Sequence, residues 1–210
     1  LRTPLTAIRG FAELHRQGAV SGEEQTKELV ARIERESMRM STLVEDLLML
    51  ARMDQGPKME IKPVNISELV TDAVESARAA GPGHSIELEA GNEIYALGDA
   101  NRIHQVVANL LANARVHTPV GTNIKVSVNQ GDTEVQVVVS DNGPGLSEKD
   151  REKVFERFYR VDPSRKRTSE EGTGLGLSIV DAVMRAHGGH VSVDSKLGEG
   201  ATFTLHFPLN

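Results

Sequence analysis

The chain has 210 residues, a formal net charge of −6, 39% hydrophobic and 26% charged residues, and no cysteine. This composition is typical of a soluble globular protein of one or two domains, and it excludes disulfides and thiolate metal sites. The acidic balance argues against general nucleic-acid binding, and no apolar run approaches the roughly 18 residues that cross a bilayer.

Residues 1–54 predict a helical hairpin. The first helix ends before Gly18, a second break follows at Gly22, and the spacing of Ser21 and Glu24 fits a capping box at the start of the second helix. Apolar residues then form a long stripe at Leu29, Ile33, Met40, Leu43, Val44, Leu47, Leu48 and Ala51. Two antiparallel helices cannot bury such stripes on each other, so we expect a homodimeric four-helix bundle through this segment. The alternative is a hairpin packed on the rest of its own chain.

After a linker at 55–62, the pattern over 63–210 changes to mixed helices and strands. The predicted helices are 66–80, 101–117 and 176–186. The predicted strand pairs are 85–90 with 94–97 and 124–129 with 134–140, and two further strands are predicted at 190–195 and 201–207. The predicted fold class is therefore α+β: a helical hairpin, then a sandwich of helices on a mixed, largely antiparallel sheet.

The helix at 101–117 carries a row of polar residues four positions apart, namely Asn101, Gln105, Asn109, Asn113 and His117. Asparagine is a poor helix former, so two of them one turn apart in mid-helix indicate a function. The row presents neutral oxygen ligands to a cation and phosphates, and Mg²⁺ suits such a site because it takes few protein ligands. The alternative is a solvated helix face.

Two glycine-containing segments indicate a nucleotide. In DNGPG at 141–145, the Asp141 carboxylate lies at a strand end, where it can accept a hydrogen bond from an adenine amine while the glycines let the backbone approach the base; the segment is also a good turn. GTGLGL at 172–177 leads into a helix whose free N–H groups favour phosphate. It lacks the Rossmann spacing and a Walker lysine.

FERFY at 155–159 and a polar, basic segment at 160–171 separate these two motifs. This segment carries Arg165, Lys166 and Arg167, and a mobile loop with arginine beside a phosphate site would neutralise charge during phosphoryl transfer. The alternative is a disordered surface loop.

In this order, the segments resemble the catalytic core of bacterial sensor histidine kinases, over essentially the whole chain. The similar motifs are the N box (NLLANA, 109–114), the G1 box (DNGPG, 141–145), the F box (FERFY, 155–159), the G2 box (GTGLGL, 172–177) and a G3-like segment (GEGATF, 198–203). LRTPL at 1–5 resembles the end of the H box, whose phosphoacceptor His would lie two positions before Leu1.

The resemblance implies an ATP-binding domain of the GHKL type that uses Mg-ATP. Asn113 would hold Mg²⁺ with support from Asn109, Asp141 would read adenine, and Arg160 and Arg165 would reach the phosphates. The other implied nucleotide contacts are Arg115, His117, Gly143, Gly145, Leu146, Phe155, Gly172, Thr173, Gly174, Leu175, Gly176, Leu177 and Thr202.

Two places depart from the family pattern. Many relatives carry Lys three residues after the magnesium Asn; here Val116 and then His117 stand there, so Arg115 or His117 would take over the phosphate contact. ATPases of this fold place Glu one turn before that Asn, whereas Asn109 cannot deprotonate water.

The implied function is transfer of the γ-phosphoryl group of ATP to a His, for relay to an Asp of a response-regulator receiver domain. Thr3 would position water in the reverse, phosphatase reaction. The resemblance also implies the cytoplasmic part of a membrane sensor, with the membrane reached only through upstream segments. Without the acceptor His, this chain is expected not to label itself. The alternatives are a catalytically silent ATP-binding dimer module, an ATP-driven clamp, or a core in which phosphatase activity dominates.

Overall fold

The computed structural model describes residues 2–56, 58–81, 83–91, 93–161 and 173–209. The chain divides into two compact units, Leu1–Ala51 and Arg52–Asn210, which we call the N-terminal and C-terminal units.

Two helices form the N-terminal unit, as predicted. Helix α1 spans Arg2–Arg16 and helix α2 spans Glu23–Asp54, of which the last three residues belong to the C-terminal unit. The Arg32 guanidinium of α2 lies 6.0 Å from the centre of the Phe11 ring of α1, so α2 runs back alongside α1 as a hairpin.

The predicted capping box at the start of α2 is wrong in its register. Because the helix begins at Glu23, Ser21 lies one residue too early to cap it. Instead the Ser21 N–H donates to Gln25 Oε1 at 3.2 Å. Glu23 and Glu24 in the first turn stabilise the positive end of the helix dipole in place of a serine cap.

The C-terminal unit contains four helices and seven strands among its described residues. In chain order they are β1 (Lys62–Asn65), α3 (Ile66–Ala79), β2 (Ser85–Ala90), β3 (Tyr95–Gly98), α4 (Ala100–His117), β4 (Asn123–Gln130), β5 (Glu134–Asp141), α5 (Glu148–Lys153), α6 (Gly176–Ala186), β6 (His190–Lys196) and β7 (Gly200–Pro208). Strands in the order β2-β4-β5-β7-β6 form the main sheet, while β1 and β3 form a two-stranded sheet.

The predicted pairing of the strands at 85–90 and 94–97 is wrong. Strand β2 pairs in parallel with β4, and β3 pairs antiparallel with β1, a short strand that the sequence pattern did not reveal. β1 has four residues and contains Pro63, which cannot donate to a ladder, so its strand signal is weak. The predicted hairpin of β4 and β5 is confirmed. The strands predicted at 190–195 and 201–207, for which no partner was predicted, form the antiparallel pair of β6 and β7.

The core lies between the main sheet and the helices α3, α4 and α6. Alternate residues of β5 are buried at Val135, Val137 and Val139, as the period of a strand requires. On α4 the predicted apolar stripe is buried throughout, at Ile103, Val106, Val107, Leu110, Leu111 and Ala114. Since this stripe fixes the rotation of α4, the polar row of the same helix must lie on another face.

His187 joins the end of α6 to the start of α4. The Asp99 N–H donates to His187 Nε2 at 3.0 Å, and His187 Nδ1 lies 2.8 Å from the Val183 carbonyl oxygen. Nε2 is therefore the acceptor and Nδ1 carries the hydrogen. Burial is the main reason that the pKa of His187 lies below its usual value.

This arrangement predicts a loss of stability in mild acid. As the pH falls below the ordinary histidine value of about 6.5, the unfolded chain binds a proton that folded His187 resists, so the free energy of unfolding falls. We expect a lower urea midpoint at pH 5.5 than at pH 7.5. His187→Gln, which keeps an acceptor but does not titrate, should reduce this pH dependence. Equal pH dependence in both proteins would contradict the prediction.

Candidate functional site

The carboxylate of Asp141 is held by backbone hydrogen bonds at the end of β5. The Gly143 N–H donates to Asp141 Oδ1 at 2.8 Å, and the Ala201 backbone N–H also donates to this carboxylate. Asp141 is about half buried, and this burial raises its pKa although both hydrogen bonds act in the opposite direction. The carboxylate is thus a fixed acceptor in a partly desolvated place.

Gly143 lets this loop pack against the end of α4. A Cβ at Gly143 would lie 2.6 Å from Thr118 Cγ2 and 2.7 Å from Asp141 Oδ1, so a larger residue would displace the carboxylate. The Thr118 hydroxyl in turn donates to the Ala114 carbonyl of α4 at 2.6 Å. The predicted adenine loop and the C-terminal half of the polar helix are therefore neighbours.

Asn109 joins α4 to the start of α6. Its Nδ2 donates to the Gly176 carbonyl at 3.4 Å, and Asn113 is half buried one turn further along the same face. Among the residues that the structure describes, no side chain caps the first turn of α6, and Leu175, the residue before it, is buried. The Asn109 amide therefore lies at the start of α6, whose first-turn N–H groups are suited to an anion, and Asn113 follows one turn further along α4.

The 155–159 segment supports the start of α6. Phe155 packs edge-to-face on Phe203 of β7, with ring centres 6.4 Å apart. Phe158 has a φ of +65° and donates its N–H to the Gly174 carbonyl at 2.9 Å. A Cβ at Gly174, whose φ is +73°, would lie 3.1 Å from the Phe158 backbone. This close approach explains the glycine, while the half-buried Phe155 packs on the main sheet through Phe203.

Thr202 is not brought to the site by its side chain. Its hydroxyl lies 2.9 Å from Ser140 Oγ, and β7 pairs Thr202 with Ser140 and Ala201 with Asp141. Because successive strand residues point to opposite faces, Thr202 and Asp141 lie on opposite faces of the sheet. Ala201, which the sequence pattern did not indicate, contacts the carboxylate instead through its backbone.

Arg115 is also turned away. An added Cβ at Gly81, in the loop after α3, would lie 2.7 Å from Arg115 Nη2, so the guanidinium lies against that loop. Arg115 lies two residues after Asn113 on α4, which is a rotation of about 200° around the helix axis, so the two side chains lie on different faces. His117 is exposed at the end of α4. The structure thus places the Arg115 guanidinium against the loop after α3, on a different face of α4 from Asn113.

The remaining candidates fall into three groups. Gly145 and Leu146 lie in the loop after β5, and Thr173 and Leu177 lie at the start of α6; we call the region bordered by this loop, α4 and the start of α6 the cleft. Arg160 is half buried just after the 155–159 segment. Arg165, Gly172 and the side chain of Thr3 lie outside the described residues.

Three supporting residues were missed by the sequence analysis. Thr118 and Ala201 contact the Asp141 loop, and the Leu146 N–H donates to Ser195 Oγ at 2.8 Å. Ser195 could have been found from the sequence, because it is a polar residue where the alternation of β6 predicts a buried one. Ala201 contacts the carboxylate only through its backbone, so the identity of its side chain gives no signal.

The donors present fit a magnesium–phosphate complex better than a bare metal ion. Within the described part of the chain, no group of three His, Asp or Glu side chains has a metal-binding arrangement. Asn109 and Asn113 offer neutral amide oxygens, and Mg²⁺ takes its other ligands from phosphates and water.

In the same described part, no helix has the length and apolar character that a membrane span requires.

The chain matches two domain families. Residues 98–210 match the family described as histidine kinase-, DNA gyrase B- and HSP90-like ATPase, and residues 1–56 match the His Kinase A (phospho-acceptor) domain. The chain is 47% identical to the probable sensor histidine kinase TcrY and 38% identical to the sensor histidine kinase TrcS, both of Mycobacterium tuberculosis. These matches cover 100% of the chain but 44% and 42% of the two proteins, so the chain spans under half of their length.

Solved structures of similar fold include the histidine kinase AdeS of Acinetobacter baumannii. It has a TM-score of 0.77 and 26% identity, over 100% of this chain and 97% of that one. Full-length ShkA in complex with AMPPNP has a TM-score of 0.75 and 31% identity, over 99% and 43% of the two chains. The histidine kinase ThkA in complex with the response regulator TrrA has a TM-score of 0.77 and 25% identity, over 100% and 58%.

Proposed function

Because this chain belongs to the sensor histidine kinase family, we propose that it is the catalytic core that transfers the γ-phosphoryl group of Mg-ATP to a histidine. The observation that carries the proposal is the joining of three motifs at one cleft. Gly143 packs on Thr118 at the end of α4, and Asn109 of α4 bonds Gly176 at the start of α6. The resemblance that the sequence motifs indicated is confirmed at the level of the family and of the fold class.

Each side of the cleft has its own task in this proposal. The ionised Asp141 carboxylate accepts a hydrogen bond from the exocyclic amine of adenine, while Gly143 and Gly145 allow the base to approach. The start of α6 provides N–H groups for the phosphates. Asn113, supported by Asn109, provides amide oxygen for Mg²⁺, which neutralises phosphate charge when bound. ShkA was solved in complex with AMPPNP, which supports an adenine nucleotide as the ligand of this domain.

Catalysis would come from alignment and charge stabilisation, since phosphoryl transfer requires little covalent chemistry from the protein. Asn109 stands one turn before the metal residue and cannot act as a general base. Water held in the site therefore lacks an activating carboxylate at this position, which favours transfer to a histidine over hydrolysis.

The N-terminal unit supports a homodimer through residues 1–54. Large apolar side chains remain exposed along its two helices, among them Leu5, Leu14, Val30, Met38 and Leu48. A second copy of the hairpin would bury them in a four-helix bundle.

ThkA was solved with a response regulator, which supports a receiver domain as the partner. We place the chain on the cytoplasmic side of a membrane sensor.

Labelling with γ-labelled ATP tests the proposed function. The 210-residue chain should bind Mg-ATP without labelling itself, whereas a chain extended upstream to include the H-box histidine should acquire acid-labile label. Acid-labile label on the 210-residue chain would contradict the position of the acceptor. Steady ATP hydrolysis without transfer would favour an ATP-driven clamp instead.

A further inference from the structure

Ser195 of β6 joins the loop at 141–146 to the turn at 196–200. It is 8% exposed and is one of the few polar residues in the core. Its hydroxyl donates to the Gly200 carbonyl at 2.6 Å and accepts the Leu146 N–H at 2.8 Å. One buried hydroxyl therefore connects the end of the loop to the end of the turn.

The loop and the turn meet backbone to backbone. Gly145 has a φ of +69°, and a Cβ there would collide with the Lys196 carbonyl. Gly200 has a φ of +85°, and a Cβ there would collide with the Asp141 carbonyl. Neither contact leaves room for a side chain, so a shift of the turn moves the loop with it.

Two backbone hydrogen bonds carry the connection further. The Gly198 N–H donates to the Pro144 carbonyl at 2.8 Å, which links the middle of the turn to the middle of the loop. Ala201, directly after the turn, donates its N–H to the Asp141 carboxylate. The position of this carboxylate thus depends on where the turn lies.

We propose that Ser195 is a positioning residue for adenine recognition, which holds the turn and the loop together so that the Asp141 carboxylate faces the adenine amine. The inference rests on the proposed recognition of adenine by the Asp141 carboxylate. Both roles of the hydroxyl are needed, because alanine would leave the partly buried Leu146 N–H and the buried Gly200 carbonyl without this partner.

The test compares the binding of ADP and IDP, whose base carries an oxygen in place of the adenine amine. We expect Ser195→Ala to lower the affinity for ADP about tenfold and to leave the affinity for IDP unchanged. Ser195→Thr, which retains the hydroxyl, should restore the preference for ADP. Ser192→Ala is the matched control, since this hydroxyl of the same strand lies 3.0 Å from His206 Nε2 and should not affect either affinity.

If Ser195→Ala loses affinity for ADP and IDP equally, Ser195 has a merely structural role and the inference is overturned. An unchanged preference for ADP over IDP in this variant would overturn it as well. If Asp141→Asn removes the preference and Ser195→Ala does not, only the role of Ser195 falls. If the unmodified chain does not prefer ADP, the proposed role of Asp141 falls as well. If Ser195→Ala does not fold, the ratio of the affinities for ADP and IDP is measured in Ser195→Cys instead. A partial loss of the preference for ADP supports the inference, and an unchanged ratio overturns it.

Discussion

Replacing Asn113 by alanine is expected to lower phosphoryl transfer from Mg-ATP at least about a hundredfold in a chain that carries the acceptor histidine. Removal of one oriented polar group from a phosphoryl-transfer site commonly has an effect of this size. Asn113 would supply an amide oxygen to Mg²⁺, and alanine supplies none. The rate of acid-labile labelling at saturating Mg-ATP, measured across a Mg²⁺ titration, gives the effect.

The control for this variant is Gln105→Ala, which alters the same polar row of α4 two turns earlier and should leave transfer unchanged. Alanine is the better helix former at both positions, so neither change should lower the thermal midpoint. Transfer that survives Asn113→Ala with its normal Mg²⁺ dependence would refute the assignment of the metal ligand.

The second large effect is expected for Asp141→Asn, which should weaken ADP binding by about a hundredfold. The charge-assisted hydrogen bond to the adenine amine is lost, and the amide that replaces it brings a donor towards a donor. Because burial raises the pKa of Asp141, the carboxylate of the unmodified chain protonates at a higher pH than an ordinary aspartate. Its ADP affinity should therefore fall as the pH is lowered through that range, and calorimetry over a pH series measures both effects.

Asp132→Asn is the matched control, since it makes the same charge change in the exposed turn between β4 and β5. It should bind ADP with unchanged affinity and unchanged pH dependence. If Asp141→Asn and the unmodified chain show the same fall in affinity with pH, the titrating group is another residue and the assignment of Asp141 is wrong.

The secondary structure was predictable wherever one periodicity ran without interruption. The apolar stripe of α4 is buried as its spacing requires, and the hairpin of β4 and β5 forms where a short polar turn separates two alternating runs. Prediction failed for β1, which is too short for its period to show, and for α5, whose six residues include no buried one. The partner of β2 was also missed, because a parallel pair is joined through distant chain and leaves no local turn signal.

The amino-acid sequence alone was enough to identify the family and the fold class, because motifs such as 141–145 and 109–114 need particular residue types whose local spacing is visible in one dimension. It was not enough to decide which side chains reach the cleft. The tertiary structure turns Arg115 towards Gly81 and Thr202 towards Ser140, since core packing sets the rotation of α4 and the pleat sets the faces of β7. The contacts that hold Asp141, from Ala201 and through Ser195, join segments about fifty residues or more apart and exist only once β5, β6 and β7 lie side by side.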